Sequence, residues 1–127
     1  MPENKLYEYA VIRLVPKVER EEFFNIGLIL FSKKANYIRV EYVVDKEKLS
    51  VLKHELDFQE IDNNLEAFKQ VAKGEKSSGP FSKMEIAERF RWLTAVKSAV
   101  IQTSCPHPGM TNDLDATFTR LFDELVK

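Results

Sequence analysis

At 127 residues the chain is long enough for one hydrophobic core, and a single domain spanning 1-127 is expected. Its hydrophobic fraction of 44%, with nine Phe and four Tyr, excludes a solvated disordered chain, because that much apolar surface can offset the entropy of folding. A formal net charge of -1 excludes a global field that would draw it to nucleic acid or an anionic membrane, so no nucleic-acid role is expected.

Cys105 is the single cysteine and has no partner for an internal disulfide. The start, Met1-Pro2-Glu3-Asn4-Lys5, lacks the apolar segment of a signal peptide, and a cytoplasmic location is expected. The longest strong apolar run, Ile26 to Phe31, is strand-sized, far short of the roughly 20 residues that span a bilayer.

Leu6 to Val15 is rich in β-branched and aromatic residues and is stopped by Pro16, which predicts a first strand. Phe24 to Phe31 is apolar almost throughout, as in a central strand covered on both faces, with Gly27 allowing a close approach. Tyr37 to Val44 alternates, with Ile38, Val40, Tyr42 and Val44 on one side, and predicts a third strand. Short connections favour an antiparallel meander.

Asp45 is a candidate cap for a helix over about Lys46 to Leu56. A second helix is expected from Ile61 or Asp62, with Leu65, Phe68, Val71 and Ala72 on one stripe and Gly74 as its stop. Lys76 to Pro80 reads as a mobile loop. Ser82 and Glu85 have capping-box spacing and open a third helix with Ile86, Phe90 and Leu93 inward.

Val96 to Gln102 returns to strand character, and Cys105-Pro106-His107-Pro108-Gly109 is expected as a loop because proline cannot donate to a ladder. Thr111 or Asn112 would cap a last helix with Leu114, Phe118, Leu121, Phe122 and Leu125 inward. The order β-β-β-α-α-α-β-α gives an α+β fold, an antiparallel sheet of about four strands with helices mainly on one face. The first strand is apolar on both sides. The face bearing Tyr7, Tyr9 and Val11 therefore needs a cover, supplied by a helix, a dedicated protein partner or a second copy in a homodimer.

Several polar residues sit where an apolar one is expected. Arg13 interrupts the first strand between Val11 and Val15; Glu19, Glu22 and Asn25 are its candidate neighbours. It is either half of a structural ion pair or an anion-recognition arginine. On the third helix Arg89 falls at the flank of the buried stripe, whereas Trp92 lies on the polar side with Glu85 and Glu88. That tryptophan either folds back onto the sheet or serves a partner.

His107, near Thr103 and Ser104, is a solvated loop histidine or the wall of a polar pocket. A Cys105-His107 nucleophile is disfavoured, because residues two apart in a proline-bounded loop need not face each other. With two His and one Cys, no metal site is expected; no Walker loop, dinucleotide fingerprint or nucleophile elbow is present, so no cofactor is expected either.

Tyr7 to Pro16, Arg20 to Gly27 and the run Glu88-Arg89-Phe90-Arg91-Trp92-Leu93-Thr94-Ala95, followed by a Ser/His/Gly loop, together resemble the bacterial domain-of-unknown-function 3037 family. The likeness covers nearly the whole chain and falls on Arg13, Glu22, Asn25, Gly27, Arg89, Arg91, Trp92 and His107. It implies no reaction. It does imply similarity to small proteins encoded beside HipA-like kinase genes, and hence an accessory partner of such a kinase. A non-catalytic interaction protein is the leading expectation. The alternative is a small enzyme or anion/phosphate-binding module using an Arg-rich polar pocket.

Overall fold

A computed structural model of the protein describes residues 4–15, 23–47, 49, 57–74, 76–95 and 101–127. Among them are five strands, β1 (Lys5–Leu14), β2 (Phe24–Ser32), β3 (Tyr37–Tyr42), β4 (Ile101–Thr103) and β5 (His107–Thr111). The α-helices are α1 (Phe58–Lys73), α2 (Ile86–Ala95) and α3 (Leu114–Leu125). The helix expected over 46 to 56, residues 96 to 100 of the expected fourth strand, and Glu19 and Glu22 lie mainly or wholly outside the described residues.

All pairings are antiparallel, in the order β3-β2-β1, with β4 and β5 end to end along the outer edge of β1, β4 against Ile12–Leu14 and β5 against Lys5–Tyr9. The apolar β2 is central and buried on both faces. Gly27 sits where it must, since a Cβ there would lie 2.9 Å from the Glu41 carbonyl oxygen and 3.1 Å from Tyr42 Cβ.

The sheet divides two cores. On one face Ala10, Ile12, Leu14, Ile29 and Phe31 meet Leu65 of α1 and Phe90 and Leu93 of α2, with the Phe31 and Phe90 rings stacked at 4.9 Å. On the other, Tyr7, Leu28 and Leu30 meet Phe118, Leu121 and Phe122 of α3. Each such side chain contributes about 1.5–3 kcal/mol when fully buried, so the α3 seam matters to stability. The second face is thus covered, at least over β2, by the chain's own last helix.

Helix ends depart from the expected positions. The α1 cap is Asp57, whose carboxylate accepts from the Gln59 and Glu60 amides, and the helix stops at Gly74 in the left-handed region (φ 70°). Ser82 does not cap α2: its hydroxyl donates to the Gly79 carbonyl, while Glu85 supplies the first helical acceptor, to Arg89 N–H. Lys76 to Pro80, expected as a loop, falls within short 3-10 turns over Lys76–Lys83, interrupted at Gly79. The α3 cap is Asp113, accepting from Ala116, rather than Thr111 or Asn112.

The expected loop at Cys105 to Gly109 is corrected in its second half, because His107–Thr111 pairs with β1. This is an edge strand, and an edge proline is tolerated where its missing N–H would have faced outward rather than into the ladder. The edge is broken between β4 and β5 by Ser104, Cys105 and Pro106. That break would strand the Val11 amide, and the Ser104 hydroxyl accepts from it at 2.9 Å, while Ser104 N–H donates to the Val11 carbonyl.

Candidate functional site

The flagged residues fall on opposite faces of the sheet. Arg89, Arg91 and Trp92 ride on α2, on the α1/α2 side. Arg13, Asn25 and His107 belong to strand positions on the α3 side.

Arg89 is 8% exposed. Its Nε donates to the Ala72 carbonyl at 3.3 Å and its Nη1 to the Met84 carbonyl. Ala72 lies in the last turn of α1, whose Gln70 and Val71 carbonyls are taken by Gly74 N–H. The guanidinium therefore serves an end of α1 where carbonyls lack helical partners and where the helix dipole favours a cation. It also packs over Gly74, where an added Cβ would come within 3.1 Å of it. Arg91 forks onto the Glu8 carboxylate at 3.1 and 2.5 Å, joining α2 to β1 at the surface. Trp92 is 41% exposed on the outer side of α2.

On the other face His107 is exposed and lies against Tyr9, ring centroids 5.3 Å apart. Cys105 is exposed as well. Tyr7 and Val11 are buried within the chain, and Tyr9 is half-buried. No group of three or more His, Cys, Asp or Glu side chains is placed to hold a metal among the described residues.

Arg13 and Asn25 do come together. At Ile12/Arg13 the β1-β2 register slips: Ile12 faces Gly27, Arg13 faces Asn25, and Ile26 is the bulged residue between them. On its other flank Arg13 faces Gln102 of β4. The result is a polar row, Asn25-Arg13-Gln102, across three strands and on one face. The Arg13 guanidinium lies over the Phe23 ring, 4.3 Å from its centroid. Asn25 donates from Nδ2 to the Leu125 carbonyl at the end of α3, which fixes its amide. Arg13 Nε and Asn25 Oδ1 are both buried without a hydrogen-bond partner. His107 faces Tyr9, four residues from Arg13, or roughly 13 Å along the strand, and does not join the row.

Two features escaped sequence reasoning. Gln102 depends on a cross-strand register that a single sequence does not display. Leu6 and Met110 are directly paired on β1 and β5 and are 58% and 64% exposed. Alternation along β1 puts Leu6 on the side of Glu8 and Ala10, but its neighbour on β5 becomes visible only once that segment is known to be a strand. Beside the pair runs a groove of about 400 Å³ walled by Leu6, Phe31 and Ala87 and rimmed by Lys33, Lys34 and Arg91.

An antiparallel sheet sandwiched between two helices on one face and one on the other defines the class, α+β. The chain belongs to the family described as protein of unknown function (DUF3037), whose model matches residues 9–126. Comparison with curated proteins and with solved structures returned no match. No helix among the described residues is long and apolar enough to cross a membrane.

Proposed function

We propose that the protein is a non-catalytic interaction protein that docks a partner on the β1/β5 edge beside α2. The observation that carries this reading is the exposed Leu6-Met110 pair next to a cation-rimmed apolar groove. Large apolar side chains held side by side in water are the usual core of a contact surface, and Lys33 and Lys34 on the rim favour an acidic, amphipathic segment. Arg91 is already matched by Glu8, so the lysines supply the net charge.

The spread of the arginines supports the same reading. Arg89 is committed to backbone carbonyls, Arg91 to Glu8 and Arg39 to Asp115, each tied to its own partner rather than gathered around one reacting centre. A HipA-like kinase is the first partner to try, on the resemblance to proteins encoded beside such kinases.

The test is affinity capture from the source organism with the parent chain and with Leu6→Asp/Met110→Asp, followed by cross-linking to map the contact. Cross-links at the β1/β5 edge that vanish in the double variant support the proposal. A partner held equally by both chains refutes it. Light scattering on the purified chain separates a second copy from a foreign partner: self-association lost in the double variant would make the occupant another copy of this chain.

A further inference from the structure

The geometry points to a carboxylate-binding site at the Asn25-Arg13-Gln102 row, on the opposite face from the proposed docking edge and independent of it. Five arginines fall among the described residues: Arg13, Arg39, Arg89, Arg91 and Arg120. Arg39, Arg91 and Arg120 meet carboxylates, and Arg89 meets carbonyls. Among the described residues Arg13 alone of the five has neither a hydrogen bond nor an ion pair. A half-buried guanidinium in that state is costly unless something else satisfies it.

Its surroundings state what that partner must be. The Phe23 ring covers one face of the guanidinium, and the Nε–H is buried without an acceptor; a planar guanidinium fork suits a flat, bidentate carboxylate. Gln102, at the adjacent register position, carries a further amide donor. Asn25 Oδ1 is an acceptor held in place by the bond from its own Nδ2 to Leu125, and it repels a dianion. One cation beside one fixed acceptor suits a monoanion that carries a donor next to its carboxylate: the hydroxyl of a hydroxy acid, or the amide N–H before a peptide's terminal carboxylate. A phosphate dianion fits this row poorly.

The test is a titration of the Arg13 Nε–Hε resonance with acetate, glycolate, N-acetylglycine and inorganic phosphate, against chloride at matched ionic strength. Saturable shifts with glycolate or N-acetylglycine, at least about tenfold tighter than with acetate, support the site, because the donor engages Asn25. Preference for glycolate assigns a free hydroxy acid and preference for N-acetylglycine a chain terminus. Arg13→Met keeps the apolar stem on Phe23 and should abolish the shifts of neighbouring amides; Gln102→Ala should weaken binding while leaving the fold intact. Tighter binding of phosphate than of any carboxylate, or no saturable response at Arg13 in the folded parent chain, overturns the proposal.

Discussion

Replacing Arg89 with methionine removes a guanidinium that is 8% exposed while keeping most of its aliphatic volume, so the loss is electrostatic rather than a cavity. Two carbonyls, of Ala72 and Met84, lose their donor. Stranding a buried acceptor costs about 1–3 kcal/mol, and removing a cation from a helix C-terminus about 0.3–1 kcal/mol more. Allowing for partial access of water to Met84, the sum is about 2–4 kcal/mol. For a chain of 127 residues that corresponds to a fall of roughly 10 °C in the thermal midpoint. Circular dichroism melts of the parent, Arg89→Met and Arg91→Ala provide the comparison. Arg91 and Glu8 form a surface pair, so Arg91→Ala should cost under about 1 kcal/mol. An Arg89→Met midpoint within a degree or two of the parent would refute the assignment of Arg89 to the end of α1.

Ser104→Ala leaves the buried Val11 N–H without its acceptor and should cost about 1–3 kcal/mol, with faster hydrogen exchange at Val11 specifically; unchanged protection there would contradict the role given to the hydroxyl. At Gly109 a Cβ would enter the Tyr7 ring, so Gly109→Ala should destabilise by about 1–3 kcal/mol, and most of that loss should disappear in a Tyr7→Ala background. Burial first, and then a hydrogen bond to Asp115, push the Tyr37 phenol up to about 12; burial and Glu66 do the same for Tyr42. Both folded values exceed the ordinary 10, so folding favours the protonated phenols. Their contribution to stability is complete below pH 10 and is lost as pH rises through 12. Phenolate absorbance should show two tyrosines ionising near pH 12, and Asp115→Ala should lower Tyr37 while leaving Tyr42 in place.

Much of this architecture is legible in the chain. The unbroken apolarity of Phe24 to Phe31 marks a central strand, and the spacing of Leu65, Val71 and Ala72 marks the inner stripe of α1, because both patterns are local. The edge strand was hidden because Pro108 is judged by its missing N–H, and whether that N–H is needed depends on which side the neighbouring strand lies. The α3 cap lies one or two positions from the expected one, since Thr111 and Asn112 are as good chemically as the Asp113 that serves, whereas Ser82 turns its hydroxyl to Gly79 instead of to α2. Arg89 and Arg13 were both visible as misplaced cations. Only the fold separates them, by bringing the α1 carbonyls to one and an unpartnered amide oxygen to the other.

The central claim is that the Leu6-Met110 edge is a docking surface, and site-resolved cross-linking of captured complexes tests it most directly. The account predicts cross-links from β1 and β5 to an acidic segment of one partner, lost in Leu6→Asp/Met110→Asp while the folding stability stays within about 1 kcal/mol of the parent's, as expected for exposed positions. Cross-links confined to another surface, or a complex indifferent to both substitutions, would contradict it.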